Sequence, residues 1–241
     1  MTSEGTFPIG TPVLGSLRRN RVRQRTSDRV YDELAGAIRD LRIPPGASLS
    51  ETDLAEQLQV SRTPLREALA RLVDAGLVSV VPNVGTRVEL IRLNDVERAR
   101  FVRESLEIGA FTTACESPER DVSALRELLD RQTRACEAHD LSAFFAADEA
   151  LHELIFALSG HPDAWHLMQP LKMHLDRMRW LSLPEQSTVR SLIAEHTAIV
   201  DALEAGDVEG GRTHLRSHAR RALEKAPSLQ ARYPEYFDEH H

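Results

Sequence analysis

Four residues in the C-terminal half of the chain have the side-chain types that bind divalent transition metals. Asp148 and His152 are four residues apart in a helical stretch, so both project from one face of that helix. His196 and His218 lie in two later helical stretches. Imidazole and carboxylate ligands suit zinc foremost, with nickel, manganese or iron as alternatives. The set is a candidate metal site, whereas the simpler interpretation makes each histidine a surface or hydrogen-bonded core residue.

A second group has the side chains of a DNA-reading helix. Ser61, Arg62, Arg66 and Arg71 stand at and after the start of a predicted helix. Arg62 and Arg66 are four residues apart and share a face away from the helix's leucine stripe. Short polar and long cationic side chains at such a position reach base edges and phosphates in a major groove. The alternative is an ordinary solvated face.

The elements around this second group follow the order of a winged helix-turn-helix. Apolar residues at helical spacing predict a first helix over about 28–42, and Ser50 offers a cap for a short second helix. The third helix runs from Ser61 to a stop at Gly76. Residues 77–81 and 86–90, joined by a turn at 82–85, predict a β-hairpin.

Beyond Leu93 every pattern is helical, which predicts a mainly α fold. We expect a domain at 26–92 with the winged helix-turn-helix, followed at 93–241 by an all-α helical-bundle domain that binds a ligand. The six predicted helices of the second domain begin near Asn94, begin at Ser117-Pro118, and span 141–159, 164–181, 188–205 and 208–225, with a kink at Pro170.

Composition and charge limit the possible functions. With 241 residues, 41% hydrophobic and 28% charged, the chain has a globular balance, and no apolar run approaches a membrane span. We therefore expect no membrane partner. Cys115 and Cys136 form no CxxC motif, and we expect them to be core residues in a reducing cytoplasm. The net charge of −7 divides into +2 over residues 1–92 and −9 over residues 93–241. Nucleic acid should therefore meet the N-terminal part.

The first 25 residues carry the run Arg18, Arg19, Arg21, Arg23 and Arg25 without apolar periodicity. This composition favours a disordered, solvated basic arm, and contact with DNA phosphates or a minor groove is the alternative.

Longer motifs carry a family resemblance. The segments LRIPPG at 41–46, LA at 54–55, VSRTPLREAL at 60–69 and GLV at 76–78 resemble the N-terminal domain of GntR-type bacterial transcription regulators. The resemblance implies that Ser61, Arg62, Arg66 and Arg71 contact DNA and that the wing glycine Gly85 enters the minor groove. Thr52 departs from the pattern, since some members of the FadR branch carry a DNA-contacting arginine there.

The helical half resembles the FadR C-terminal domain, or FCD domain. Its metal-binding members have D-x-x-x-H, a later H-x-x-I and a final M-x-x-H, which here match Asp148, His152, His196 and His218, with leucine replacing methionine at position 215. His214 and His174 remain rival ligands. The resemblance also implies a small carboxylate effector above the metal, held by an arginine.

The effector-binding candidates are Arg103 with Glu107, in an R-x-x-x-E pattern, and Arg177 or Arg179 beyond the kink, with Arg177 preferred. A guanidinium fork fits a carboxylate bidentately. The alternative for Arg103 is a simple ion pair with Glu107 one turn away.

Together these features predict a ligand-responsive transcriptional repressor of the FadR subfamily, which binds a palindromic double-stranded DNA operator as a homodimer. We expect it not to be an enzyme. A metal-dependent hydrolase is the alternative, but Glu149 beside Asp148 points about 100° away around the helix. A purely structural metal is the other alternative.

Overall fold

A computed structural model describes residues 25–81, 85–117 and 120–238. The chain divides into two compact units, with the boundary between Glu89 and Leu90. Residues 1–24 of the predicted arm, residues 82–84 of the predicted turn and Pro118 lie outside the described residues. None of the described helices combines the length and hydropathy that a membrane crossing requires.

The first unit is a winged helix-turn-helix, as the sequence predicts. Its elements are α1 (Thr26–Arg39), β1 (Ser48–Leu49), α2 (Glu51–Leu58), α3 (Arg62–Asp74), β2 (Val78–Val81) and β3 (Gly85–Val88). Helix α1 packs on α3, and both bury their apolar stripes. Ser50 caps α2 by accepting a hydrogen bond from the Asp53 amide, and Gln59 ends α2 in the left-handed region at φ 54°.

The wing has one strand more than the predicted hairpin. Strands β2 and β3 pair antiparallel as expected, and β1 adds to the free edge of β3, so that Ser48 lies opposite Arg87. A two-residue strand has too few positions to show an alternating pattern, and this explains why the sequence analysis missed it.

Between Leu90 and Asp238, the described residues form helices and one isolated bridge between Ile91 and Phe237. The α-helices of this second unit are α4 (Leu93–Glu116), α5 (Ser123–Glu137), α6 (Leu141–Leu158), α7 (Pro162–Ser182), α8 (Gln186–Ala205), α9 (Val208–Glu224) and α10 (Ala226–Arg232). The described residues thus contain one helix more than the six predicted. Ser117 does not open α5: it caps the C-terminus of α4 in an extended conformation, and α5 begins at Ser123.

Close approach of two helices helps to position the site. Helix α9 packs against α4, and Gly211 on α9 lies against the buried ring of Phe111. A Cβ added at Gly211 would overlap that ring. Glycine therefore permits the helix contact that holds His218, two turns further along α9, near the middle of α4.

The C-terminal segment that follows α10 closes on the start of the helical unit. Ile91 N donates to Tyr236 O at 2.8 Å, and Asp238 N donates to Ile91 O at 3.0 Å. Phe237 is 4% exposed and bridges Ile91 in parallel. These contacts tie the segment before α4 to the end of the chain.

Candidate functional site

Three buried histidines from three helices meet inside the second unit. His152 on α6, His196 on α8 and His218 on α9 each offer one ring nitrogen, and these atoms lie within 4.8 Å of one another. Their ring centroids are 4.7 to 5.3 Å apart. Among the described residues, the structure therefore brings together three of the four predicted metal ligands as one cluster.

Hydrogen bonds outside the cluster fix which ring nitrogen faces its centre. His196 Nδ1 donates to Gln132 Oε1 at 2.8 Å, and His218 Nδ1 donates to Glu195 Oε2 at 3.0 Å. His152 Nδ1 lies 3.1 Å from Glu107 Oε1. Because an amide or carboxylate oxygen only accepts, Nδ1 of His196 and of His218 carries the proton. Arg103 Nη2 can only donate and lies 2.9 Å from His152 Nε2, so this ring also has its lone pair on Nε2. This arrangement is typical of metal-binding histidines.

Asp148, the fourth predicted ligand, borders the cluster. Its Oδ1 atom lies 3.4 Å from His196 Nε2, and neither of these two buried atoms has a hydrogen-bond partner. Its Oδ2 atom accepts a hydrogen bond from Arg179 Nη2. An unpaired buried acceptor is costly unless something binds it, so the inward carboxylate oxygen and the imidazole lone pairs fit a divalent metal.

Burial favours the neutral form of two of the three histidines, His196 and His218. Burial lowers the pKa of His196 to about 3, although the Asp148 carboxylate acts in the opposite direction. Burial, His196 and Arg103 hold the pKa of His218 well below its usual range. Burial alone would raise the pKa of Asp148, but Arg179 and His196 hold it well below its usual range. Neutral imidazoles beside an ionised carboxylate form a ready donor set.

Arg103 forms the ion pair with Glu107, one of the two alternatives for this residue, and it also contacts two of the histidines. Its Nε donates to Glu107 Oε1 at 2.7 Å, which is the expected ion pair one turn apart. Its Nη2 also approaches His152 Nε2 at 2.9 Å and His218 Nε2 at 3.3 Å. Burial alone would raise the pKa of Glu107, but Arg103 and His152 hold it below its usual range.

A second group of buried charges lies beside Asp148. Lys172 Nζ contacts both Glu149 oxygens at 2.7 and 2.8 Å and Asp176 at 2.5 Å. Arg179 Nη1 contacts Asp176 at 2.9 Å and Glu149 at 3.1 Å. Glu149 is thus held by two cations.

A pocket that is open to solvent lies next to the histidines. Its wall contains His218 together with four cationic side chains, those of Arg103, Arg179, Arg221 and Lys225. Leucine and alanine side chains and the hydroxyls of Ser182 and Thr188 complete the lining. Arg177 is fully buried and is not part of this lining, whereas Arg179 is. The lining therefore combines apolar surface with four cations, each of which already has a carboxylate partner.

The remaining histidine and cysteine candidates lie elsewhere. His214 is exposed and His174 is half-buried, and neither joins the three-histidine cluster of the described residues. Cys115 is buried, which raises the pKa of its thiol, and Cys136 is half-buried; both are free thiols. Their placement agrees with the expected role as packed residues.

In the first unit, the predicted DNA-contacting residues divide into two groups. Ser61 is the N-cap residue of α3, and Arg62 and Arg66 reach towards α2, where they contact Thr52 and Glu51 at 3.4 and 2.8 Å. All three are exposed.

Arg71 instead points back to α1, pairs with Asp28 at 2.9 Å and lies over the Tyr31 ring. Gly85 begins β3 with φ 110°, a conformation that favours glycine, and it is exposed on the wing. Ser61, Arg62 and Arg66 are thus exposed together at the start of α3, and Arg71 is exposed further along the same helix.

Sequence reasoning missed the residues that orient the ligands. Gln132 is fully buried in the stripe of α5 that also contains Leu125, Leu128 and Leu129. An amide in an otherwise apolar stripe is a detectable signal, because a buried amide needs polar partners. Glu195 gives no such signal, since its neighbours in sequence do not show that it meets His218.

Comparison with known proteins gives matches over both units. Residues 26–88 match the gntR family of bacterial regulatory proteins, and residues 98–221 match the FCD domain. A relative described as an uncharacterised HTH-type transcriptional regulator in an unstable DNA locus of Streptomyces ambofaciens is 39% identical over 215 residues, 88% of this chain and 90% of the relative.

Two proteins of Escherichia coli are also similar. The HTH-type transcriptional repressor RspR is 28% identical over 217 residues, which cover 90% of this chain and 95% of that repressor. Among solved structures, E. coli McbR/YncC superposes with a TM-score of 0.72 at 27% identity, covering 87% of this chain and 99% of that one. The similarity therefore spans both the winged helix-turn-helix unit and the helical unit.

Proposed function

Because this chain belongs to the gntR family of bacterial regulatory proteins and carries an FCD domain, we propose that it is a transcriptional repressor controlled by a small carboxylate effector and a divalent metal. We place it in the FadR branch and in the cytoplasm. It binds a palindromic operator as a homodimer, since two-fold protein symmetry matches two half-sites one helical turn apart.

One observation carries the metal and effector parts of this proposal. Three imidazole lone pairs and an unpaired oxygen of Asp148 meet beside a pocket whose wall contains four cationic side chains. His152, His196, His218 and Asp148 would hold the metal, with zinc foremost. When bound, the metal supplies a concentrated positive charge that attracts an anion.

The chain's own residues then select and orient the effector. Arg103 and Arg179 line the pocket wall, and a guanidinium can donate two parallel hydrogen bonds to one carboxylate. An effector carboxylate would exchange with part of their present carboxylate contacts. The helical half is net negative, so an anion binds only where such local cations outweigh the surroundings. We therefore assign Arg179, and not its neighbour Arg177, to the effector together with Arg103 and the Glu107 that holds it.

The DNA-reading part of the proposal rests on the start of α3. Arg62 and Arg66 are exposed, and their present partners on α2 are exposed or half-buried side chains. Surface contacts of this kind contribute little, so exchanging them for guanine or phosphate contacts costs little. Effector binding changes operator affinity by its preference for one arrangement of the dimer, typically a 5- to 150-fold effect.

The test uses DNA from the promoters of the gene for this chain and of its neighbours. Metal-loaded protein should protect two half-sites with one dimer per site, by footprinting and light scattering. Carboxylates such as acetate and citrate, and those made or consumed by the neighbouring enzymes, are then titrated. A shift of operator affinity by at least about fivefold with one of them supports the proposal. Protection of a single half-site by a monomer contradicts it.

The alternative of a purely structural metal predicts a different result. Chelation would then unfold the helical unit, whereas the sensing role predicts folded, metal-free protein that no longer responds to the effector. Circular dichroism of chelator-treated protein separates the two.

A further inference from the structure

The guanidinium of Arg103 lies against the inward face of the histidine cluster. Its Nη2 atom is 2.9 Å from His152 Nε2 and 3.3 Å from His218 Nε2. The side chain is 2% exposed, and its Nε is fixed by Glu107 at 2.7 Å. A buried, doubly held cation therefore contacts two of the nitrogen atoms that the metal needs.

From this contact we propose that Arg103 is an internal competitor of the metal. In the metal-free protein it holds the lone pairs of His152 and His218, and metal uptake releases it. This inference rests on the metal centre of the proposed function and adds to it a mechanism that couples the metal to the pocket.

The competition follows from the valence of imidazole. A neutral imidazole has one lone pair on its unprotonated nitrogen. Glu195 accepts from His218 Nδ1, and the donor-only guanidinium of Arg103 contacts His152 Nε2, so in both rings Nε2 is the nitrogen with that lone pair. A guanidinium can only donate hydrogen bonds, and a metal ligand must donate the same lone pair to the metal. One nitrogen cannot do both.

Release of Arg103 has a consequence for the pocket. Arg103 is part of both the histidine cluster and the pocket wall, so its donors change partners without the residue leaving the site. A guanidinium that loses two acceptors requires new ones, and an anion in the pocket provides them. Metal uptake thus increases the affinity for an anion through a residue of the chain, in addition to the charge that the metal itself brings.

The test measures zinc affinity by competition with a chromophoric chelator. Arg103→Gln removes the competing cation, and we expect it to bind zinc about tenfold or more tightly than the natural chain, because two charge-assisted hydrogen bonds no longer oppose binding. Arg103→Gln with Glu107→Gln removes both members of the buried pair, keeps an acceptor oxygen at 107 and should show the same gain. The double variant covers the case in which the single variant, with Glu107 unpaired, fails to fold.

The matched control is Arg100→Gln, which removes a positive charge one turn earlier on α4. Arg100 pairs with Glu97 and Glu104 and does not contact the histidines. Its zinc affinity should equal that of the natural chain. A similar gain in this control would show general electrostatics and overturn the competition.

Nitrogen-15 NMR of the arginine side chains gives a second readout. The Arg103 Nη signal should change on zinc addition, while that of Arg100 should not. If the natural chain binds zinc and Arg103→Gln binds it equally or more weakly, the proposed competition is wrong. The metal centre itself is not contradicted by that result. Failure of the natural chain and of both Arg103 variants to take up zinc overturns the metal centre and this inference together.

Discussion

Acidification should destabilise the metal-free helical unit through His196. Burial lowers the pKa of this imidazole to about 3 in the folded chain, against an ordinary value of 6.5. Below pH 6.5 the unfolded chain binds a proton at this position and the folded chain does not, so the free energy of unfolding falls as the pH falls. The stability is fully present above about pH 6.5 and is lost progressively down to about pH 3.

The size of the effect follows from the two pKa values. Each pH unit within this window costs about 1.4 kcal/mol for one group. Between pH 7 and pH 5, His196 should therefore remove about 2 kcal/mol, a large part of the roughly 5–15 kcal/mol that stabilises an ordinary domain. His218 shifts in the same direction and adds to the loss.

The assay is urea unfolding of chelator-treated protein at pH 7, 6 and 5, followed by tryptophan fluorescence. Both tryptophans of the chain, Trp165 and Trp180, lie in α7, so the signal reports on the helical unit. His196→Gln removes the titrating group and should lose about 2 kcal/mol less than the natural chain over this range. His214→Gln changes an exposed histidine and serves as the matched control.

If the natural chain and His196→Gln lose the same free energy of unfolding between pH 7 and pH 5, His196 is not the source of the pH dependence. Such a result would mean that the buried imidazole accepts a proton in the folded state, for example by opening of α8. Zinc-loaded protein should resist acidification further, because a metal that binds only the folded state stabilises it.

Three other predictions concern the recognition helix α3, the C-terminal segment and the role of the metal. Arg62→Ala and Arg66→Ala should each weaken specific operator binding by about 1 to 3 kcal/mol in a mobility-shift assay. The control Arg98→Ala, at an exposed position on α4, should not weaken it. Unchanged binding in both α3 variants would show that neither arginine contacts the operator. Phe237→Ala should lower the unfolding free energy of the helical unit by about 3 kcal/mol in the fluorescence assay, because it empties a buried site against Ile91. A change under about 1 kcal/mol would contradict the packing of Phe237. Chelation at pH 7 should leave the helical circular dichroism at 25 °C intact while lowering Tm, and unfolding on chelation would favour a structural metal.

The sequence predicted the parts of the fold that repeat a local pattern. The recognition helix, its Pro64-containing first turn and the stops at Gly76, Gly160 and Gly206 all appear where spacing and backbone chemistry require them, and each of these glycines has positive φ. Helix α10 was missed because its seven residues are too few to show a helical period distinct from α9.

The site was predictable as a set of residue types but not as an arrangement. Asp148 and His152 share a helix face by spacing alone, whereas their meeting with His196 and His218 depends on how α6, α8 and α9 pack. Choosing between Arg177 and Arg179 required the rotation of α7, since residues two apart point about 200° apart around a helix. Gln132 and Glu195 reach the histidines only through tertiary contacts.

Elemental analysis measures whether the clustered histidines and Asp148 hold a metal. Protein purified without chelators, or titrated with zinc, should contain close to one divalent metal per chain. His152→Ala and His196→Ala should each lower that content sharply, while His214→Ala should not. If the natural protein contains no metal and takes up neither zinc nor nickel, these residues do not form a metal site.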